Sequence, residues 1–443
     1  MLEMPIFRGK GYHFGRLMSN FFKNSSIYLF ATILSSIIPF LLMPVMTRYL
    51  TQEEYGQVAM FQTVIAALSA VVGLSVHGAA NRKFFDSDLS EITLRKFNGS
   101  CLQILLLSTL VITIVIIELK EELGKALGTP VDWILLALII SFSSFIAQIR
   151  LGQWQIRKKA KYFGLFQVSQ SMLNMLCSLF FVVVFLTGGE GRVNAQVVVA
   201  IVFSFLSLYL LYKDKLVIFF QWNPVLIKEA LSFGVPLVPH VVGGFLLLSL
   251  DRFVVNKELG LVNVGIYMVA VQLSSILKVI FQSINKAYSP WLFEKLKNNN
   301  FQEKQKIVKM TYLYFVVMFI VALMAFLLGP FFVVLIAGEK YREAGSIIGL
   351  LCLGNIFNGM YLMVTNYIFY SKKTAKLSIV TILSGGVNVA LLFLLVKPYG
   401  LVGAAVAFAI SGFVMFLFTW FLSMYCYRMP WFFGVNESGK DKV

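Results

Sequence analysis

The sequence predicts an all-α integral membrane protein with about twelve transmembrane helices, arranged as two parallel six-helix bundles. Three observations carry that prediction. Hydrophobic residues make up 58% of the 443 and charged residues only 13%, with a mean hydropathy of +0.81, whereas soluble domains hold about 45–50% and ~25%. Apolar runs of about 20 residues, long enough to cross the hydrocarbon of a bilayer, recur twelve times. Fragments of the first half also return in the second at a constant spacing.

The first run, 26–47, follows Arg8, Lys10, Arg16 and Lys23 in the manner of a signal-peptide core. It is too long for one, contains Pro39 and Pro44 and lacks a small-x-small cleavage site, so it is expected to remain as the first span. Runs at 57–77 and 99–118 come next, then 131–149 with Trp133 at its rim, 163–187 and 195–212. Gly188, Gly189 and Gly191 between the last two read as a turn, since a phosphate-cradling loop needs a different spacing. Beyond Trp222 lie 231–250 and 264–287, joined by a short charged link from Asp251 to Val264. Runs at 308–336, 345–369, 377–396 and 401–425 complete the set, and Gly345 and Gly349 form a small-xxx-small pair suited to close helix packing.

Gly191, Val193, Ala195, Val197 and Ala200 match Gly400, Val402, Ala404, Val406 and Ala409, all 209 positions apart, and Gly56 matches Gly265 at the same offset. A duplicated six-helix unit follows, divided as 1–222 and 223–443. Because six is even, both copies run the same way through the membrane, related by an axis along its normal. Lysines and arginines in alternate loops number 28 against 9, with Lys278 in neither set. The positive-inside rule then puts both termini in the cytoplasm. The net charge of +17 is thereby a matter of topology and not of a basic groove for nucleic acid. The four cysteines have no paired spacing, so neither a disulfide framework nor a zinc site is indicated.

Polar groups inside the runs point to function. Lys278 lies about nine residues from the cytoplasmic end of its span, roughly 13 Å at 1.5 Å per residue, beyond comfortable snorkelling. Such a charge either lines a cavity or reaches the interface by stretching its stem. Ser275, Lys278, Gln282 and Asn285 fall within about 80° of one another on a helix. His240 sits at nearly the same depth beside Pro236 and Pro239, which interrupt the helical ladder. It is either a hydrogen-bonded core residue or a cargo contact. Gln167, Gln170, Asn174 and Ser178 share a face of the fifth span, and Asn355, Asn358, Thr365 and Asn366 dot the tenth. These amides serve either sugar hydroxyls or interhelical hydrogen bonds. All 21 Asp and Glu fall in loops, tails or span ends, so the interior is expected to be neutral to positive. An exporter of organic cations normally needs a buried carboxylate. No Walker loop, metal-ligand cluster or nucleophile–base pair occurs, so the chain is read as no enzyme, with no cofactor.

Four stretches carry a family resemblance: PFLLMPVMTRYLTQEEYGQVAMFQ, SFGVPLVPHVVGGFLLLSLDRFVV, VGIY and PYGLVGAAVAFAIS. With twelve spans in two halves, the chain resembles the Wzx-type polysaccharide flippases, the O-antigen and capsule translocases of the multidrug/oligosaccharidyl-lipid/polysaccharide exporter superfamily. The resemblance implies a MATE-like V-shaped architecture and a site in the bacterial inner membrane. It implies movement of undecaprenyl-diphosphate-linked oligosaccharide repeat units from the cytoplasmic to the periplasmic leaflet, by alternating access through a cationic cavity. A polysaccharide polymerase and a chain-length regulator are the protein partners it suggests. The related lipid II flippases usually carry two further spans. Under this reading Lys278, Arg252, Arg48 and Arg82 are candidates to meet the diphosphate, with His240, Gln282, Asn285 and Asn174 as further contacts. Arg252 has two other readings, a pair with Asp251 or a headgroup contact, and Arg82 a second one as an ordinary inside-positive loop residue. The alternatives are a MATE-type drug exporter, which lacks its carboxylate here, and a non-transport membrane protein of polysaccharide assembly. A polymerase would be expected to show a larger outward loop.

Overall fold

The computed structural model describes residues 10–86, 90–297, 300–371, 373 and 375–431, and among these only helices and connecting turns occur. In chain order the α-helices are α1 (Lys10–Tyr49), α2 (Gln52–Val71), α3 (Val76–Lys83), α4 (Glu91–Glu118), α5 (Lys120–Leu127), α6 (Val131–Ile156), α7 (Ala160–Leu179), α8 (Gly188–Lys213), α9 (Pro224–Gly234), α10 (Val238–Leu248), α11 (Leu250–Leu259), α12 (Leu261–Lys297), α13 (Phe301–Ala337), α14 (Ala344–Tyr370) and α15 (Ala375–Cys426). Eleven helical stretches among the described residues are long and apolar enough to cross a membrane.

The eleventh stretch holds two crossings. At 52 residues α15 would extend about 78 Å if straight, but Gly400 breaks it at φ 59°, ψ −140°, a conformation that glycine alone adopts freely. Around that break Gly403 sits directly against the Leu395 carbonyl, and the Ser411 hydroxyl donates to Asn388 Oδ1 at 3.2 Å. The two halves therefore fold back on each other, and the twelve runs read from the sequence are all present.

Two spans carry breaks of their own. Between α2 and α3 the chain passes through Gly73 (φ 69°), Leu74 (φ 48°) and Ser75 (φ 58°), and the Ser108 hydroxyl accepts from the Gly73 N–H at 2.9 Å. Irregular backbone at membrane depth survives where protein groups satisfy it. The seventh span is interrupted by a 3-10 turn at Val235–Leu237, where Pro236 lacks a backbone N–H.

One expectation fails here. The link expected between Asp251 and Val264 is for the most part helix α11 (Leu250–Leu259). Phe253, Val254, Val255 and Leu259 continue the apolar pattern past the charges, so the helix ends only at Gly260, φ 83°. Asp251, in the first turn of α11 and between the seventh and eighth spans, is consequently buried within the protein.

The chain divides into two compact units. One holds Met1–Val45, Val64–Leu123 and Pro130–Pro239; the other holds Met46–Thr63, Gly124–Thr129 and His240–Val443. In the first, α6 packs on α8 around Ala147, Trp154, Phe166, Val199 and Phe203. Arg150, 1% exposed, pairs with Asp214 and lies 4.0 Å above the Trp154 ring. The segment after α8 is strapped to α4: Asn98 Nδ2 donates to the Leu216 carbonyl at 2.8 Å, and the Ile218 N–H donates to the Arg95 carbonyl at 3.1 Å.

In the second unit α14 packs on α12, α13 and α15. Gly345 fits against Pro330 and Gly349 against Phe326, the close packing expected of that pair. Phe315, Phe416, Trp420 and Trp431 make an edge-to-face and stacked cluster, with Phe315 and Phe416 centroids 5.3 Å apart. The same unit contains a seam between the α1–α2 turn and the start of α12. Gly56 and Gly265, the pair matched in the repeat, lie backbone to backbone, so that a Cβ on Gly56 would stand 3.1 Å from Gly265 N. Tyr55 donates to Gln272 Oε1 at 2.9 Å, and Lys340 Nζ donates to the Leu50 carbonyl at 2.6 Å.

Candidate functional site

The site grows from one helix with two exposed faces. On α12, Ile276, Ile280 and Ile284 are exposed, spaced by four and hence on one side. Lys278 and Gln282 are exposed on the opposite side. An apolar exposed face suits lipid, whereas an ammonium group on the other face needs water or a counter-charge. Between these faces Ser274 and Phe281 are buried.

The rest of the polar stripe is spent on packing. Asn285 Oδ1 accepts from Asn366 Nδ2 at 2.8 Å, and Asn355 Nδ2 donates to the Ser274 hydroxyl at 3.2 Å. Both pairs are separated by 81 positions, so α12 and α14 run side by side in one register. This removes Asn285, Asn355 and Asn366 from the freely available contacts. Lys278 and Gln282 remain.

Arg252 joins them. It lies close enough for its charge to act on Lys278, and its Nε has no hydrogen-bond partner among the described residues. The neighbouring carboxylate is turned elsewhere. Asp251 Oδ2 accepts from the Tyr267 hydroxyl at 2.8 Å, and Oδ1 accepts from the Arg252 backbone N–H at 2.9 Å. Among the described residues Arg252 makes no ion pair with Asp251, and two cations share one region of the unit. Like charges held together attract an anion strongly, and a guanidinium beside an ammonium suits phosphate oxygens.

The other candidates scatter. His240 is exposed on α10, where Gly243 and Gly244 have open space beside their backbones, but no hydrogen bond or ion pair links it to Lys278 among the described residues. Arg48 is exposed in the last turn of α1. Arg82 and Asn174 belong to the other compact unit. Arg82 lies 5.2 Å over the Phe233 ring, and Asn174 Oδ1 accepts from Arg192 at 2.6 Å. The Arg192 contact, the Asp251–Tyr267 pair and the buried Arg150 all escaped the sequence reading. Each is a charge near a run end that the folded helix carries inward, and only Arg150, seven residues before the next basic cluster, left a trace in spacing.

Comparisons with known proteins follow this geometry. Residues 21–296 match the family model described as "Polysaccharide biosynthesis protein". A protein of the Lsg locus of Haemophilus influenzae is 28% identical over 377 residues, 83% of this chain and 90% of that one. The capsular polysaccharide biosynthesis protein CapF of Staphylococcus aureus is 23% identical over 399 residues, 88% of this chain and 96% of that one. Among solved structures, the inward-facing conformation of a multidrug resistance MATE family transporter of the MOP superfamily superposes with a TM-score of 0.70 at 17% identity, covering 88% of this chain and 94% of that one. The fold is therefore that of MATE transporters.

Proposed function

Since this chain belongs to the polysaccharide biosynthesis protein family, a multi-pass membrane family, we propose that it carries lipid-linked oligosaccharides from the cytoplasmic to the periplasmic leaflet of a bacterial inner membrane. The cargo's diphosphate, linked to undecaprenol, meets Lys278 and Arg252, and Gln282 lies one turn along the same face. The observation that carries this reading is the exposed, cationic face of α12 opposite its lipid-like isoleucine face. A diphosphate cannot enter hydrocarbon unpaired, and a two-cation site offers charge-assisted hydrogen bonds that strengthen as water leaves.

The charge asymmetry of the loops supports cytoplasmic termini. On that topology the Gly56–Gly265 seam lies at the outer end of the molecule, and alternating access requires it to part. The two sequence halves, 1–222 and 223–443, are the moving bundles of this proposal. Export of an organic cation finds one supporting feature, the buried Asp251, but that carboxylate is held by Tyr267 with Arg252 adjacent, which favours anionic cargo. In a strain whose surface polysaccharide depends on this protein, Lys278→Ala should abolish export at unchanged membrane abundance, and Lys278→Arg should retain part of it. Wild-type polysaccharide from the alanine variant would overturn the assignment.

A further inference from the structure

Among the described residues Asp251 is the one acidic side chain that is buried, and Arg252 follows it in the first turn of α11. A buried carboxylate has to be met by hydrogen-bond donors, and two kinds stand at hand. The Arg252 guanidinium belongs to the next residue, its Nε is unpartnered among the described residues, and a guanidinium–carboxylate pair is the stronger contact. The structure holds the weaker one. Tyr267, 16 positions further on in α12, donates its hydroxyl to Asp251 Oδ2 at 2.8 Å, and the Arg252 backbone N–H donates to Oδ1 at 2.9 Å.

Packing holds Tyr267 in place for that bond. Its side chain is 0% exposed, between Val264 and Ala270, which are buried on the same helix. Helix α11 packs on α12 and buries Val254 and Val255. A tyrosine so enclosed needs a partner for its hydroxyl, and Asp251 supplies it. Tyr267 also stands on the face that carries Lys278. The two are three helical turns apart, within about 20° of each other and roughly 16 Å along the axis. The Arg252 charge acts on both side chains, so the guanidinium is within electrostatic reach of each. Were Asp251 to turn to Arg252, the ion pair would occupy guanidinium donors and cancel one of the two cations.

We propose that Tyr267 is a positioning residue for the cargo site: its hydroxyl holds the Asp251 carboxylate off the Arg252 guanidinium and so keeps both cations open to phosphate oxygens. The inference rests on the proposed function and names the residue that sets the charge of that site. Neither Tyr267 nor Asp251 touches cargo in this account, and the bond that matters is the one Asp251 is kept from making. Tyr267→Phe removes the hydroxyl alone. Oδ2 then lacks a donor in a buried place, which is costly, and the guanidinium of the next residue is the donor that turns to it.

The test is equilibrium binding of a fluorescent farnesyl diphosphate to the full-length protein in nanodiscs, with fluorescent farnesol as the uncharged control. Tyr267→Phe should weaken diphosphate binding about tenfold, the scale of one charge-assisted hydrogen bond, and leave farnesol binding as it was. Asp251→Asn should bind the diphosphate at least as tightly as the wild type, because an amide still accepts from Tyr267 and forms no ion pair with Arg252. Adding Asp251→Asn to Tyr267→Phe should restore the affinity while Tm stays below wild type, a separation that a merely structural bond would not produce. Wild-type diphosphate affinity in Tyr267→Phe, or a double variant as weak as Tyr267→Phe alone, would overturn the positioning role and leave the proposed function standing. If Tyr267→Phe does not accumulate, Asp251→Asn decides alone, and weaker diphosphate binding at unchanged farnesol binding would overturn the role. Wild-type diphosphate affinity in both Arg252→Ala and Lys278→Ala would overturn the two-cation site and both readings with it.

Discussion

Gly265→Ala adds a single methyl group at the seam, and the structure fixes what that methyl meets. It would stand 3.1 Å from the Gln52 carbonyl carbon and 3.2 Å from Gly56 N, and nearer still to the Gln52 oxygen. Ordinary carbon contacts begin at about 3.5 Å, so the two backbones must separate, and backbone cannot rotate aside as a side chain can. Overpacking of this kind costs about 1–3 kcal/mol, which lowers the ratio of closed to open seam about 5- to 150-fold. Helix propensity works in the opposite sense, since alanine inside α12 stabilises that helix by about 1 kcal/mol over glycine. Global stability should therefore change little while the seam opens. Hydrogen exchange of segments 52–60 and 261–272 measures the seam, and thermal unfolding measures the whole. Gly243→Ala is the control, because nothing lies within 4 Å of its added carbon. Faster exchange in both segments for Gly265→Ala alone, at near-constant Tm, is expected. Unchanged exchange would refute the claim that backbone contact at Gly56 and Gly265 holds the seam.

Three further outcomes are expected. Cysteines at Lys297 and Glu339, both exposed, should react with an impermeant thiol reagent from opposite sides of the membrane, and labelling of both from outside would contradict the topology. Asp214→Asn should destabilise the protein by roughly 3 kcal/mol, the low end for a broken buried pair, because Arg150 stays buried while Asp214 is partly exposed; Arg150→Met combined with Asp214→Leu should recover most of the lost Tm. In proteoliposomes a membrane potential of the exporting sign should speed translocation, since moving an anion outward gains about 2.3 kcal/mol per charge per 100 mV, and equal rates under both signs would remove the field from the mechanism.

The membrane architecture was legible because hydropathy acts over whole segments. Twenty apolar residues identify a span whatever their order, and even the turn at Gly400 showed as a gap between runs. Lys278 was legible for the same reason, as a charge where the pattern forbids one. Charges close to run ends were not, because their depth depends on where a helix stops. Asp251 and Arg252 read as a loop until α11 carried them inward, and the choice of Tyr267 over Arg252 as the partner of Asp251 is a matter of side-chain direction. The amides behaved similarly. Asn285 and Gln282 share a stripe, yet only α14 alongside decides that Asn285 is bonded to Asn366 and Gln282 is not. Gly56 and Gly265 gave an offset in the repeat, but that equivalent residues meet each other required the fold.

Direct translocation of a fluorescent lipid-diphosphate oligosaccharide by the purified protein in proteoliposomes bears most closely on the central claim. The wild type and Lys278→Arg should move the probe between leaflets, and Lys278→Ala and Arg252→Ala should bind it weakly and leave it where it was inserted. Equal translocation by the wild type and Lys278→Ala, or wild-type movement of a neutral lipid-linked sugar as fast as the diphosphate, would contradict a cationic site for an anionic cargo.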